Sequence, residues 1–378
     1  GLADRSADRF TSPGFRQLLA MLGDQLCDDY LRRLDAQLAE LQLPDGVLFS
    51  ARLGVGNKGG SSVLHRPPRR RLWQRLTSGP AGYGFTVDAR DEGGTQALTE
   101  LIGRAVNDVA NTVTQSADHV EGFFARLRTE LAFYLGCVNL HDRLTDAGVP
   151  MCLPVPTAGE APRFTCRGLR EPALCLVRGG PVTGNDVDAD AKALIMVTGA
   201  NEGGKSTFLR SVGVAQLMLQ AGMFVAAESL RADLRGTVVT HFKRAEDAAM
   251  VHGKLDEELA RMSDIVAAID STAMLLCNES FASTNEREGS QIAGDIVRAL
   301  TERGIKVVFV THLYSLARGL SAVAHPATLF LRAERHPNGA RTFRLVPGNP
   351  EPTSYGQDSF RRIFGAPPGV AATRCPGA

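Results

Sequence analysis

Nine consecutive residues have the types and the spacing to hold phosphate groups. Residues 199–207 read Gly-Ala-Asn-Glu-Gly-Gly-Lys-Ser-Thr and fit the pattern G-x-x-x-x-G-K-[ST]. Glycines let the backbone turn tightly, so that N–H groups can face phosphate oxygens, and a helix that begins here adds the positive end of its dipole. An apolar run before the loop and a helical pattern after it distinguish this match from a chance glycine-rich turn. The predicted nucleotide contacts are Gly199, Asn201, Gly203, Gly204, Lys205, Ser206 and Thr207.

Two side chains of this loop suit a nucleoside triphosphate with its metal ion. Lys205 would place a positive charge on the β- and γ-phosphates. The hydroxyl of Ser206 is an oxygen ligand of the kind that Mg²⁺ binds. The sequence therefore predicts an ATPase whose ligands are ATP and Mg²⁺.

A second polar pair follows an apolar run further along the chain. Residues 273–277 are apolar and end in Asn278-Glu279. We expect Asn278 to contact Mg²⁺ through water, although an amide brings no negative charge, and Glu279 to act as the general base. The alternative is a solvated pair at the end of a strand.

A third apolar run, 307–310, precedes Thr311-His312. Neighbouring parallel strands end at the same edge of a sheet, so His312 could sense the γ-phosphate or orient the attacking water. A structural histidine is the alternative. The sequence predicts Glu279 and His312 as the catalytic pair.

The elements that must position these residues change character along the chain. Apolar residues at three- and four-residue steps predict one helix over 13–43 and two helices within 95–148. From residue 193 onwards, strand and helix patterns alternate, which indicates a largely parallel sheet covered by helices. The predicted strands are 193–198, 237–242, 273–277, 307–311, 328–331 and 342–346, and the helices between them are 205–221, 254–270, 287–303 and 313–319.

These patterns predict a helical region followed by an α/β domain. The expected boundaries are 1–150 for the helical region with a small mixed segment at 47–90, 151–192 for a crossing segment rich in Pro and Gly, 193–366 for the ATPase domain, and 367–378 for a tail.

Composition excludes several classes of protein. The net charge is +1 over 378 residues, so no global field attracts nucleic acid and any DNA contact would need a local basic patch. The seven cysteines form no Cys-x-x-Cys pair, which favours thiols buried in a reducing cytosol over a zinc site. No apolar run approaches the ~20 residues that span a bilayer. We therefore expect a cytoplasmic protein without a membrane partner.

The loop, together with the elements after it, resembles the ATPase domain of the MutS-type DNA mismatch-repair family. Residues 198–207 match that family's T-G-x-N-x-G-G-K-S-T, and Asn201 separates the family from most P-loop proteins. Residues 216–228 resemble its A-x-x-x-Q-x-G-x-F-V-P-A run, and Thr311-His312 matches its T-H. The likeness covers residues 170–365 closely, and the helices at 95–148 resemble the family's lever region in pattern only. The resemblance implies a P-loop NTPase fold of the ABC type behind a helical core and lever region.

The resemblance also implies a homodimer that acts on DNA. The family's segment after the general base crosses the dimer interface to reach the partner's nucleotide. Here the corresponding residues are Ser283, Thr284, Glu288 and Gly289. Five features depart from the family. The Ser283-Thr284 pair falls two positions earlier than expected, and Glu288 and Asn278 each stand in place of an Asp. Residues 181–185 contain no aromatic ring for adenine, and no Phe-x-Glu mismatch reader is found.

One local basic patch could contact DNA. Its members lie within residues 65–75 and are Arg66, Arg69, Arg70, Arg71, Trp73 and Arg75. Arginines neutralise phosphates, and a tryptophan can stack on a base or wedge a base step. A solvated loop beside a buried tryptophan would have the same sequence.

Three functions fit these observations. The first is a MutS-like ATPase that acts on DNA in repair or recombination and dimerises through its nucleotide sites. The second is a MutS-like ATPase without mismatch recognition. The third is an assembly module that is gated by nucleotide and hydrolyses ATP slowly, because Asn278 weakens the metal site.

Overall fold

A computed structural model describes most of the chain and divides it into two compact units. The described residues are 9–41, 47–57, 59–65, 87–88, 90–159, 162–243, 253–323, 325–352 and 355–364. The first unit is Gly1–Glu130 and the second is Leu131–Ala378. Among the described residues, every fully buried side chain lies in the second unit.

The first unit contains helices and one β-hairpin. Its elements are α1 (Pro13–Gln25), α2 (Asp28–Leu41), β1 (Leu48–Leu53), a 3₁₀ turn at Val55–Asn57, β2 (Gly59–His65) and the first part of α3 (Glu92–Asp146), which continues into the second unit. Strands β1 and β2 pair antiparallel.

Two helix predictions in this region are wrong. The single helix predicted over 13–43 is interrupted at Leu26 and Cys27, and α2 begins at Asp28-Asp29, where acidic side chains favour a helix N-terminus. The two helices predicted within 95–148 are one continuous helix. Residues 114–119, which lie between the two predicted helices, contain neither Pro nor Gly, and the helix passes through them.

The second unit is built on a six-stranded sheet with the order β12-β11-β6-β10-β9-β8. Its strands are β6 (Leu194–Gly199), β8 (Val238–Phe242), β9 (Met274–Asn278), β10 (Lys306–Val310), β11 (Thr328–Arg335) and β12 (Arg341–Pro347). All neighbours are parallel except β11 and β12, which pair antiparallel. The six predicted strands and the largely parallel sheet are confirmed.

Helices cover both faces of this sheet. Ile195 and Val197 point into a core with α5 (Lys205–Gln220), whereas Leu194 and Met196 point into a second core on the opposite face. The helices of the second core are α6 (Lys254–Ala268), α7 (Glu286–Glu302) and α8 (Tyr314–Val323). Because β6 is buried on both faces, its carboxyl end is held firmly where the phosphate loop begins.

A smaller sheet, which the sequence patterns did not predict, lies beside the phosphate-loop helix. Its order is β3-β7-β4-β5, with only β3 and β7 parallel. The strands are β3 (Val155–Thr157), β4 (Phe164–Leu169), β5 (Asn185–Asp188) and β7 (Ser229–Asp233), and α4 (Pro172–Arg178) lies between β4 and β5. Residues 151–192, which the sequence suggested as a crossing segment, therefore supply most of this sheet, because short strands between Pro and Gly give little periodicity.

The last described helix is α9 (Gly356–Phe364). Across the described residues, no helix combines the length and the apolar composition that crossing a membrane requires.

Candidate functional site

The phosphate loop connects the end of β6 to the start of α5, as the sequence predicts. Gly199 and Gly204 adopt φ angles of 103° and 89°, in the region that favours glycine. A Cβ on Gly203 would lie 2.6 Å from Cβ of Ala333 on the neighbouring strand β11. The glycines of this pattern are therefore required by backbone conformation and by close packing.

Lys205 is buried in this loop, with 5% of its surface exposed. Its Nζ donates hydrogen bonds to the carbonyl oxygens of Gly199 at 2.9 Å and Ala200 at 2.8 Å. Burial lowers the pKa of Lys205 to about 8, and Glu279 opposes this shift. The loop thus holds an ammonium group whose present partners are only carbonyl dipoles, which a phosphate anion can outcompete.

Ser206 and Asn278 lie side by side although 72 residues separate them. The hydroxyl of Ser206 donates to Oδ1 of Asn278 at 2.9 Å. Both atoms are oxygens, which Mg²⁺ prefers, and Mg²⁺ characteristically takes one or two protein ligands beside phosphate and water. The pair therefore fits a magnesium ion bound with a nucleotide. Among the described residues, no cluster of three or more His, Cys, Asp and Glu offers a site independent of nucleotide.

Glu279 and His312 come together at the carboxyl ends of β9 and β10. His312 Nε2 lies 3.1 Å from Oε1 of Glu279, and about a third of each side chain is exposed. Burial and the charge of Lys205 lower the pKa of His312, against the opposing effect of Glu279. A neutral imidazole at pH 7 can contact a carboxylate only through an N–H, so Nε2 carries the hydrogen. The pair then consists of a carboxylate and a neutral hydrogen-bond donor.

These groups face one cavity of about 810 Å³. Its lining includes the phosphate loop together with Glu279 and His312 at one side, and residues 180–183 at another. The lining also includes Phe343, Arg178 and Arg210, which the sequence patterns did not indicate. Phe343 is half exposed and belongs to β12. Its ring supplies an aromatic surface that residues 181–185 lack, and only the antiparallel return of β12 brings it here.

A charged cluster supports the phosphate loop from the C-terminal side. Arg341 Nε donates to the carbonyl oxygen of Asn201 at 3.0 Å, and its Nη1 donates to Asp358 at 2.8 Å. Arg335 donates twice to the same carboxylate, at 2.6 and 2.8 Å. These hydrogen bonds hold the pKa of Asp358 well below its usual range. Helix α9 is therefore linked to the backbone of the phosphate loop.

The predicted dimer segment begins immediately after Glu279. The Ser283 hydroxyl donates to Glu258 at 2.7 Å, and the Thr284 hydroxyl donates to Glu288 at 2.8 Å. A Cβ on Gly289 would lie 2.4 Å from the carbonyl oxygen of Phe281, so this glycine allows α7 to pack against the segment. A role for these four residues across a dimer interface stays a prediction.

The basic patch at residues 66–75 lies outside the described residues. DNA contacts from Arg66, Arg69, Arg70, Arg71, Trp73 and Arg75 therefore stay a prediction.

Two families of protein domains match this chain. The MutS2 N-terminal domain matches residues 1–147, and MutS domain V matches residues 195–372. The chain belongs to the MutS family. Among curated MutS-family proteins it is 35% identical over 167 residues to the endonuclease MutS2 of Anaeromyxobacter sp. (strain Fw109-5), covering 42% of this chain and 20% of that protein. It is 28% identical over 276 residues to the DNA mismatch repair protein MutS of Thermus aquaticus, covering 73% of this chain and 32% of that protein.

A third MutS-family relative is the DNA mismatch repair protein MutS of Caulobacter sp. (strain K31), which is 29% identical over 227 residues. That match covers 57% of this chain and 25% of the relative. This MutS-family chain thus spans between 20% and 32% of the length of these three relatives. The expected resemblance is confirmed at the level of the family.

Proposed function

We propose that this MutS-family chain binds and hydrolyses ATP at residues 199–207, on a P-loop NTPase fold of the ABC type. The observation that supports this most strongly is the convergence of Lys205, Ser206, Glu279 and His312 on one cavity, although they come from three separate parts of the sequence. The MutS domain V match over residues 195–372 supports the same activity.

In this proposal, each polar group of the cavity has one task. Backbone N–H groups of the loop and Lys205 hold the β- and γ-phosphates. Glu279 takes a proton from the attacking water, and His312 orients the Glu279 carboxylate by donating its Nε2–H at 3.1 Å. Phe343 offers its ring to the adenine base, and Arg178 and Arg210 add positive charge to the cavity.

Mg²⁺ would be held by Ser206 directly and by Asn278 through water, and it would neutralise charge on the phosphates. Because Asn278 is neutral, the chain contributes less negative charge to this ion than an aspartate would. We therefore expect slow turnover.

We further propose that the chain acts on DNA as a homodimer, in repair or recombination. The support is that its relatives include proteins named DNA mismatch repair protein MutS. Ser283, Thr284, Glu288 and Gly289 would reach the partner's nucleotide, and the basic patch within 65–75 would contact DNA. In this proposal residues 1–150 form the core and lever region, residues 193–366 form the ATPase domain, and the protein is cytoplasmic.

The test is ATP turnover with Mg²⁺, alone and with homoduplex, mismatched and branched DNA. We expect measurable turnover in the wild type and at least an approximately 100-fold loss in Lys205→Ala, because a preorganised charge on the phosphates is removed. Lys192→Ala is the matched control, since the Lys192 ammonium donates to the Pro326 carbonyl oxygen and lies outside the cavity lining. A wild type that neither binds nor hydrolyses ATP would refute the proposal.

Two further candidates are a MutS-like ATPase without mismatch recognition and a nucleotide-gated assembly module that hydrolyses ATP slowly. The match of residues 1–147 to the MutS2 N-terminal domain favours the former, and the neutral Asn278 favours the latter. Asn278→Asp should raise kcat about 10-fold if the missing charge limits turnover. Equal binding to all three DNA structures would favour the ATPase without mismatch recognition.

A further inference from the structure

The loop after β9, residues 279–285, has a backbone that its own residues do not favour. Glu279 and Phe281 adopt φ angles of 54° and 62°, although neither is glycine. Side chains rarely occupy this left-handed region, and such residues persist only where the surroundings enforce them. The groups that enforce this conformation therefore also determine where the Glu279 carboxylate lies.

One buried carboxylate makes two of the enforcing contacts. Glu258, on α6, is 2% exposed. Its Oε2 accepts the backbone N–H of Phe281 at 2.7 Å, and its Oε1 accepts the hydroxyl of Ser283 at 2.7 Å. Hydrogen bonds to an ionised carboxylate are shorter and stronger than neutral ones, which suits a carboxylate that holds a strained turn.

Neighbouring groups complete the support of the 279–285 loop. The backbone N–H of Glu279 donates to the carbonyl oxygen of Val310 at 2.9 Å, which ties the loop to the strand that precedes His312. His241 on β8 contacts the Ser280 hydroxyl through Nδ1 at 2.7 Å and the Glu258 carbonyl oxygen through Nε2 at 3.1 Å. Its ring stacks on Phe281 with centroids 5.5 Å apart. Glu258 thus holds the loop from α6, while His241 and Val310 hold it from β8 and β10.

We propose that Glu258 is a positioning residue for ATP hydrolysis, which acts by fixing the 279–285 loop so that Glu279 meets both His312 and the attacking water. The proposal rests on the ATPase function proposed above. Glu258 lies outside the lining of the nucleotide cavity, so its effect on turnover must pass through the loop. Displacing a catalytic group by about 1 Å can lower a rate by about 100-fold.

The test compares Glu258→Gln with Glu257→Gln on the same helix. The amide retains the shape of Glu258 but can no longer accept with both oxygens. Glu257 is about one-third exposed and pairs with Arg261 at 3.5 Å, so it is a carboxylate whose ion pair lies within the same helix. We expect Glu258→Gln to lower kcat by about 10- to 100-fold, with the Kd of a fluorescent ATP analogue changed by less than about threefold. Glu257→Gln should leave both unchanged.

A double variant separates positioning from general structural damage. In a Glu279→Gln background, Glu258→Gln should lower the residual kcat by less than about twofold, because residues that act as a unit are not additive. An equal loss in both backgrounds would overturn the proposal. Ser283→Ala, which removes only one of the two contacts, should lower kcat by a smaller factor and provides a folded variant if Glu258→Gln is unstable.

Hydrogen exchange gives a second readout that does not need turnover. Peptides that contain Phe281 should exchange faster in Glu258→Gln than in the wild type or in Glu257→Gln, because a neutral amide oxygen accepts the Phe281 N–H more weakly than a carboxylate does. Unchanged exchange would refute the role of Glu258 in the loop. Absent ATP turnover in the wild type would instead refute the proposed function, and the exchange result would still decide whether Glu258 fixes the loop.

Discussion

The two loops that face the nucleotide cavity reach unusual backbone conformations by different means. The phosphate loop uses glycine at two of its left-handed positions, Gly199 and Gly204, although Glu202 is also left-handed. The 279–285 loop has non-glycine residues at its left-handed positions and is held by groups from α6, β8 and β10. The conformation of the phosphate loop thus follows largely from its own sequence, whereas that of the 279–285 loop depends on tertiary contacts.

This difference in how the two backbone conformations are stabilised predicts different roles for the two loops. Glycine at a left-handed position removes a steric cost of about 1–2 kcal/mol, so the phosphate loop needs less support from outside contacts to form its cradle. A loop held by outside contacts keeps that cost and can respond to movements of the elements around it. We therefore expect glycine substitutions in the phosphate loop to affect mainly nucleotide affinity, and changes in the 279–285 loop to affect mainly turnover.

The largest expected effect comes from Glu279→Gln. Removing the general base should lower kcat by about 10²- to 10⁴-fold. The Kd for ATP should change by less than about threefold, since in this proposal Glu279 acts on the attacking water and the phosphate loop holds the phosphates. Single-turnover kinetics, with equilibrium binding measured separately, would check both values. A weakened Kd with unchanged kcat would instead indicate that Glu279 contributes to nucleotide binding and not to turnover.

Gly203→Ala tests the phosphate loop in the same way, with a smaller effect. Its Cβ would lie 2.6 Å from Cβ of Ala333 and 2.9 Å from the carbonyl oxygen of Ala200. Overpacking of this kind strains a structure by about 1–3 kcal/mol, so we expect the Kd for ATP to weaken by about 10-fold or more. Calorimetric titration would measure it.

The control for this variant is Gly180→Ala. Gly180 lines the same cavity, but a Cβ there would meet no atom within 4 Å. Its Kd should equal that of the wild type. If both alanine variants weaken binding equally, crowding in the phosphate loop is not the cause.

The smallest expected effect is the uptake of a fraction of a proton when ATP binds. Lys205 has a pKa of about 8 because it is buried. Bound phosphates would raise this pKa, so ATP binding should take up about half a proton at pH 8, and affinity should fall as the pH rises above 8. Calorimetry in buffers of different ionisation enthalpy would measure the uptake. Equal uptake at pH 7 and pH 9 would exclude Lys205 as its source.

The same contrast explains which parts of the molecule could be predicted from sequence. The phosphate loop could be predicted from sequence because its glycines and Lys205 lie within nine residues, and the strand that precedes it is buried on both faces. Asn278, Glu279 and His312 were readable because parallel strands end at one edge of a sheet. These signals depend on local pattern and on one general rule of topology.

Glu258, Phe343 and the small sheet could not be predicted from local sequence pattern. Glu258 lies in an amphipathic helix in which a glutamate is expected to be exposed, and only the packing of α6 against the 279–285 loop buries it. Phe343 reaches the cavity because β12 returns beside β11, a pairing that periodicity does not specify. The small sheet was missed because β3 and β5 are only three and four residues long.

The link between Asp358 and the phosphate loop has a practical consequence for dissecting this protein. Arg341 contacts both the Asn201 carbonyl and Asp358, so the two ends of the ATPase region share one guanidinium group. A truncation that removes α9 would leave Arg335 and Arg341 without their shared carboxylate, more than 150 residues downstream of the loop that they help to hold. Shortened versions made to isolate the nucleotide site should therefore extend through Phe364.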